Sequence, residues 1–187
     1  MIRIFFTLAA FAVLCLLVAV FLGWYIGDLQ QVYSLTGEAK DAILRRKQAH
    51  MLFGIGAALV VLLVNSIVVT YFIGTGRWCK EVVETYSLDR SFVSRSQALK
   101  RQTFPWAACS MVAVIVVVAL GGAADPTTGA KTTANWVTPH YLGALLVLAF
   151  VVFAFLVEAG NIRAHHAVIN DIVAEVRRVR SEKGLEV

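Results

Sequence analysis

Four long stretches without a charged side chain limit what this chain can fold into. They cover residues 4–26, 51–73, 104–124 and 141–157, and none contains Lys, Arg, Asp or Glu. A bilayer core about 30 Å thick needs about 20 apolar residues per helix. In lipid a spanning segment must also pair its own backbone polar groups, which favours helices. The sequence therefore predicts an all-α, four-helix transmembrane bundle, a single integral membrane domain over residues 1–187. Its predicted spans are approximately 4–26, 51–73, 104–124 and 141–159.

The overall composition agrees with a membrane protein. Hydrophobic residues make up 59% of the chain and charged residues 16%, whereas soluble domains average about 45–50% and about 25%. The first apolar stretch is longer than the roughly 7–15 residues of a signal-peptide core and is followed by no small-residue cleavage site. We therefore expect it to be a retained first helix.

The distribution of Lys and Arg predicts the orientation. Of the 17 basic residues, all but Lys40, Arg45, Arg46, Lys47 and Lys131 flank the apolar stretches on one predicted side. The positive-inside rule then places both termini in the cytoplasm, in a multi-pass protein of the inner (plasma) membrane. The net charge is +5. We expect the excess of basic residues to bind anionic lipid headgroups, and we predict no nucleic-acid partner.

The segments outside the four spans have helical patterns of their own. Thr36 is a suitable N-cap, so helix two is expected to begin outside the membrane and continue into it. Segments of approximately 77–100 and 161–183 have apolar residues at helical spacing and predict amphipathic cytoplasmic helices after helices 2 and 4, with a turn near 87–89. Pro105 and Pro139 suit the first turns of helices three and four.

Two histidines are the candidate cofactor ligands. His50 and His140 precede apolar stretches two and four, which run in the same direction, so both imidazoles should lie at the same depth. Such a pair can bind haem iron axially, or copper or zinc with further ligands. The alternative is that each is only a polar aromatic residue at the start of a membrane helix. His165 and His166 are expected to face solvent or lipid.

A haem would also need space between the helices. Small residues that could provide it are Gly54, Gly56, Ala57, Gly143 and Ala144. The same residue types also mediate helix packing. No cofactor is predicted outright, and haem b is the alternative that the histidines allow.

Four further residues are predicted to act in packing or interaction. Gly23 and Gly27 form a small-xxx-small pair that could let another helix approach closely, and Asn65 is expected to bond to another helix. Glu158, at the inner end of span four, is expected to pair with Arg163. A weak similarity between the two halves of the chain, each with a histidine before its second span, would fit two tandem helical hairpins.

The sequence contains no C-x-x-C-H, H-E-x-x-H or G-x-S-x-G motif, and an enzymatic activity is not predicted. The first hypothesis is a non-catalytic integral membrane subunit or scaffold of a larger inner-membrane assembly. Its partners would be the lipid bilayer and other membrane subunits, or copies of itself, with the amphipathic segments docking a partner or each other. The alternative is a small b-type cytochrome or membrane redox anchor with His50 and His140 as axial ligands.

Overall fold

Four helices form almost all of the protein. The computed structural model describes residues 1–130 and 132–185. Its long helices are α1 (Ile2–Tyr25), α2 (Gly37–Tyr86), α3 (Ser91–Ala123) and α4 (Ala134–Glu182). Short 3-10 helices lie between them at Leu29–Ser34 and Pro126–Thr128. Each long helix contains a stretch long and apolar enough to cross a membrane, which confirms the predicted all-helical architecture with four possible spans.

The helices form an antiparallel bundle in which neighbours alternate in direction. α1 packs against α2 and α4, and α3 packs against the same two helices from the opposite side. We call the end that carries the α1–α2 and α3–α4 connections the loop end. The end that carries the α2–α3 turn we call the turn end. α2 and α4 run parallel to each other across the centre of the bundle, both from the loop end to the turn end.

Two of the helices are much longer than a bilayer is thick. α2 has 50 residues and α4 has 49, which at about 1.5 Å per residue gives lengths near 75 Å. The spans predicted at 51–73 and 141–159 are therefore only parts of longer helices. Thr36 directly precedes α2, as predicted from its side chain, although that side chain makes no capping hydrogen bond.

The two segments expected to form separate helices beneath the membrane are instead continuous with the long helices that contain the spans. Residues 77–86 complete α2, residues 91–100 begin α3, and 161–182 are the last part of α4. The predicted turn is present, with Ser87 at φ 54°. The glycines at 74 and 76 do not interrupt α2, because a single Gly costs a helix only about 1 kcal/mol.

The predicted starts of helices three and four are wrong. Pro105 and Pro139 lie inside α3 and α4, which begin at Ser91 and Ala134. A proline inside a helix removes one backbone hydrogen bond, but packing of a long helix against its neighbours can compensate for this loss. The two prolines are therefore interior residues of α3 and α4 and do not indicate where these helices begin.

Two hydrophobic clusters hold the bundle together. The larger one contains buried residues of all four helices, among them Phe5, Val61, Val114 and Phe155. The second lies at the turn end, where Cys79, Val83, Leu88, Val168 and Ile172 pack together. The apolar stripes predicted for 77–100 and 161–183 thus pack against each other within the chain.

The outer surface of the bundle is apolar over the spans. Large side chains such as Phe11, Leu14, Leu59, Ile115 and Leu146 are more than half exposed. A soluble protein rarely exposes such a continuous apolar surface, whereas lipid tails solvate it well. The fold is that of a multi-pass membrane protein.

Candidate functional site

His50 and His140 lie opposite each other near the loop end, where α2 and α4 face one another. Their ring centroids are 6.1 Å apart, with the ring planes at 71°. Each ring is anchored through Nδ1 to a backbone carbonyl of a neighbouring helix: His50 to Ala19 at 3.0 Å and His140 to Val117 at 3.1 Å. The parallel course of α2 and α4 thus brings together the two histidines that the sequence singled out.

The two anchoring hydrogen bonds also fix which nitrogen of each ring carries the proton. A carbonyl oxygen can only accept, so Nδ1 must donate in both rings. In a neutral imidazole the other nitrogen, Nε2, then keeps its lone pair. Metal-bound histidines commonly donate their second ring nitrogen to a carbonyl in this way, which fixes the ring orientation and increases the basicity of the ligand. Both histidines are therefore in the tautomer that binds a metal through Nε2.

A glycine lies directly beneath each ring. A Cβ atom at Gly23 would come within 2.9 Å of His50 Cε1, and one at Gly121 within 2.9 Å of His140 Cε1. Any side chain at either position would therefore push the ring away. Gly23, predicted as a helix-packing residue, instead makes room for an imidazole.

The two hairpins repeat the same arrangement. In each, the glycine lies four residues after the residue whose carbonyl accepts the histidine hydrogen bond: Ala19 and Gly23 in α1, and Val117 and Gly121 in α3. The α1–α2 and α3–α4 hairpins are thus related by an approximate two-fold axis along the bundle. This is the tandem-hairpin arrangement that the weak sequence similarity suggested.

The ring separation matches that of two imidazoles bound to one metal. With metal–nitrogen bonds of about 2 Å, two nitrogens on opposite sides of a metal are about 4 Å apart and the ring centroids about 6 Å apart. The observed separation is 6.1 Å. Two imidazoles on one metal can have any angle between their ring planes, so the observed 71° is compatible with a shared metal.

A cavity of about 530 Å³ surrounds the two rings, within the roughly 300–1,000 Å³ typical of cofactor sites. All four helices contribute to its walls. Small residues widen it, including Gly54 and Ala144, which we expected to do so; Gly56, Ala57 and Gly143 are not part of the wall. Beyond the histidines, toward the centre of the bundle, the walls are apolar and include Ala58, Val114, Val147 and Leu148.

The two loop-end connections close over this cavity and contact each other. Gln30 donates to the carbonyl of Ala124 at 3.1 Å and accepts from Thr133 at 3.2 Å. Lys47 forms an ion pair with Asp125 at 2.7 Å and donates to Thr127 at 2.8 Å. These contacts join the first hairpin to the second above the histidines.

The Lys47–Asp125 ion pair also affects the pKa of the Asp125 carboxyl. Burial by itself would raise the pKa of the Asp125 carboxyl, but hydrogen bonds from Lys47 and Thr127 outweigh it and hold the pKa below the usual 3.8. A carboxyl with a depressed pKa stabilises the folded state above its unfolded pKa and loses that contribution as the pH falls through the folded value. The closed loop end is therefore supported throughout the neutral range.

The remaining predicted residues have different surroundings. Gly27 lies beyond the end of α1 with φ +87°, and a Cβ there would meet nothing within 4 Å. It therefore ends the helix in the left-handed conformation that favours glycine. Asn65 does not bond to another helix, because its side-chain nitrogen donates to Val61 of its own helix at 2.9 Å.

Glu158 does not form the expected pair with Arg163. Its side chain is 0% exposed, and neither carboxyl oxygen has a hydrogen-bond partner. Arg163 instead lies over the ring of Phe6, 5.1 Å from its centroid. The helix turns Glu158 into the bundle, away from the headgroup region in which the sequence placed it.

Asn65 and Glu158 lie at about the same level of the bundle. Phe72 and His165 are in contact, with ring centroids 5.0 Å apart. Asn65 lies seven residues, or nearly two turns, before Phe72 on α2, and Glu158 lies seven residues before His165 on α4. Residues one heptad apart share a helix face. The side-chain oxygen of Asn65 also lacks a partner. The bundle therefore contains a small group of unpaired buried oxygens at this level.

Replacing Glu158 by Met should raise the thermal stability of the purified protein in detergent. Removing a buried polar group that has no partner recovers a desolvation cost of about 1–3 kcal/mol, and Met fills a similar space. Glu81→Met, on an exposed carboxylate, is the control and should change stability by less than about 0.5 kcal/mol. A clear loss of stability in Glu158→Met would mean that the carboxyl binds water or an ion in the folded protein.

His165 is a buried polar residue whose burial sequence reasoning missed. We expected it to face solvent or lipid, but it is 0% exposed. Its Nε2 is hydrogen-bonded to Ser96 at 2.8 Å and its Nδ1 to the Tyr71 hydroxyl at 3.3 Å. His165 lies four and seven residues before Ile169 and Ile172, on the same apolar stripe, and that spacing could have revealed its burial. His166 is exposed.

Within residues 1–130 and 132–185, no group of three or more His, Cys, Asp or Glu side chains is placed to hold a metal ion. No known protein family matches the chain, and neither the curated proteins nor the solved structures give a significant match.

Proposed function

We propose that this protein is a small membrane-bound b-type cytochrome that binds one haem b between His50 and His140. The observation that carries the proposal is the pair of Nδ1-anchored imidazoles, with ring centroids 6.1 Å apart, that line a cavity of about 530 Å³. A porphyrin supplies four ligands to its iron, so the protein needs to supply only two. His50 and His140 are the right residue type, in the right tautomer and at the right separation.

The surroundings of the two rings support the same proposal. The cavity is large enough for a cofactor and mostly apolar, as the porphyrin face requires. Each ring packs closely against Gly23 or Gly121, where no side chain would fit, and this contact helps to fix the position of the ring. The carbonyls of Ala19 and Val117 fix their orientation. An incidental pair of helix-start histidines would not need this arrangement in both hairpins.

The proposed ligation favours electron transfer over catalysis at the iron. If His50 and His140 both held the haem iron, they would leave no ligand position for oxygen or a substrate. The haem would supply one-electron redox chemistry, and His50 and His140 with their carbonyl partners would tune its potential. The chain's contribution is to hold both imidazoles, exclude water from the porphyrin face and set the polarity around it.

Absorption spectroscopy of the protein, purified in mild detergent from haem-replete cells, tests the proposal. We expect a Soret band, a sharp α band on reduction with dithionite, and about one haem b per chain by the pyridine haemochrome assay. A colourless preparation that takes up no added haem would overturn the cytochrome. It would leave the non-catalytic membrane subunit as the better hypothesis.

The subunit hypothesis itself stays a prediction. The segments expected to dock a partner or each other already pack together at the turn end, and this reduces the apolar surface they offer to another protein. A cytochrome of this size could still serve as the membrane anchor of a redox assembly. Proteins that co-purify with the haem-loaded chain would identify such an assembly.

We propose an inner-membrane location with the turn end in the cytoplasm, on the strength of the basic residues that flank the spans at that end. The haem would then lie in the outer half of the bilayer. Reporter fusions at residues 40 and 130 should report the outer compartment, and a fusion at residue 90 the cytoplasm. If all three reported the same compartment, both the topology and the parallel course of α2 and α4 through the membrane would be wrong.

A further inference from the structure

The cavity around the histidines is amphiphilic, with its polar groups confined to one end. Asp28, Gln30, Lys47 and Asp125 line the loop end, whereas the lining on the other side of the two rings is apolar. Haem b has the same asymmetry, because both of its carboxylates lie on one edge of an otherwise apolar ring. Burying an unpaired carboxylate among apolar side chains is very costly. The polar end of the cavity is therefore the end suited to that edge.

Lys47 is the basic residue in this lining. It lies three residues before His50, almost one helical turn, so it is on the same side of α2 and nearer the loop end. Its side chain is 16% exposed, whereas its neighbours Arg45 and Arg46 are exposed. Arg46 lies over the ring of Tyr25. Of the basic group at 45–47, Lys47 is thus the member directed into the cavity.

Lys47 can bind another anion while it keeps its present partners. A lysine ammonium has three donors, and Asp125 and Thr127 take two of them. Of the acidic groups in the lining, Asp125 forms an ion pair with Lys47, and Asp28 accepts hydrogen bonds from the backbone N–H of Gln30 and the side chain of Gln31. A carboxylate entering here would therefore meet a cation with a free donor.

We propose that Lys47 binds a carboxylate of the haem and so sets the orientation of the porphyrin, with its carboxylate edge toward the loop end. This inference rests on the proposed haem site. It also gives a role to Lys47, one member of the basic group at 45–47 that is an exception to the charge distribution expected on the outer side. Lys47 is a positioning residue, since it holds the edge of the cofactor and does not touch the iron.

The test compares haem with its dimethyl ester, in which both carboxylates are uncharged. Protein purified from haem-limited cells is titrated with each porphyrin, and binding is followed by the Soret band. A charge-assisted hydrogen bond should make the wild type bind haem at least about tenfold more tightly than the ester. Lys47→Met should lose most of this preference by weakening haem binding alone, and Lys47→Arg should largely restore it.

Two further variants separate carboxylate binding from loss of the Lys47–Asp125 ion pair. Asp125→Asn breaks the pair but keeps the lysine, so it should retain the preference for haem over the ester. Arg45→Met removes an exposed positive charge two residues away and should change nothing. If Lys47→Met keeps the wild-type preference, or Asp125→Asn loses it equally, Lys47 does not bind the carboxylate. Failure of the wild type to bind either porphyrin would instead overturn the haem site itself.

Discussion

Replacing either His50 or His140 by Ala should remove most of the bound haem. Each variant deletes one of the two proposed axial ligands, and the cavity offers no other imidazole to replace it. Because loss of even a second-shell partner of a metal ligand typically weakens binding about 10–100-fold, we expect haem content after purification to fall at least tenfold. The measurement is the haem-to-protein ratio by the pyridine haemochrome assay.

His166→Ala is the matched control for these variants. It removes an imidazole from α4, as His140→Ala does, but from an exposed position at the turn end. It should leave haem content and the reduced spectrum unchanged. A His50→Ala or His140→Ala protein that still carried one haem with an unaltered low-spin spectrum would show that the haem lies elsewhere.

Gly23→Ala and Gly121→Ala should each weaken haem binding and reduce stability. Ala normally stabilises a helix interior relative to Gly by about 1 kcal/mol. Here the new methyl group would lie 2.9 Å from a histidine Cε1, so the ring must tilt away from its carbonyl partner. Overpacking of this kind costs about 1–3 kcal/mol, which reverses the sign of the usual effect. Haem content and melting temperature measure both consequences.

Gly56→Ala provides the control, because a Cβ there would meet nothing within 4 Å. It should keep its haem and melt at the same or a higher temperature. The approximate two-fold relation between the hairpins adds a second check, since the two test variants should have similar effects. If Gly23→Ala and Gly121→Ala behave like Gly56→Ala, the glycines do not position the rings.

Much of the architecture could be read from the sequence, because a lipid solvent imposes a simple rule on it. A stretch such as 51–73, with no charge and enough length to span, has to be a helix in a bilayer. The same rule places His50 and His140 at one depth, because two spans separated by one intervening span run in the same direction. Helix starts were less predictable, since packing kept α3 and α4 helical through Pro105 and Pro139.

The immediate surroundings of the site could not be read in this way. Gly23 looked like a helix-packing residue, and Gly121 attracted no notice, because nothing local indicates that an imidazole from another helix will lie against them. From the sequence, Lys47 appeared only as one of the few basic residues on the predicted outer side of the membrane. Glu158 was placed at the membrane boundary because a position near the end of a span does not reveal which way the helix turns its side chain.

The sequence alone determined that four helices are long and apolar enough to cross a bilayer and that two histidines begin two parallel apolar stretches. These features depend on the transfer free energy and the length of each segment, and both are properties of that segment's own sequence. The tertiary structure decided that the two rings come together, that carbonyls of α1 and α3 fix their tautomers, and that a cavity opens around them. Those properties depend on how each helix is rotated about its axis, and that rotation is set only when all four helices pack together.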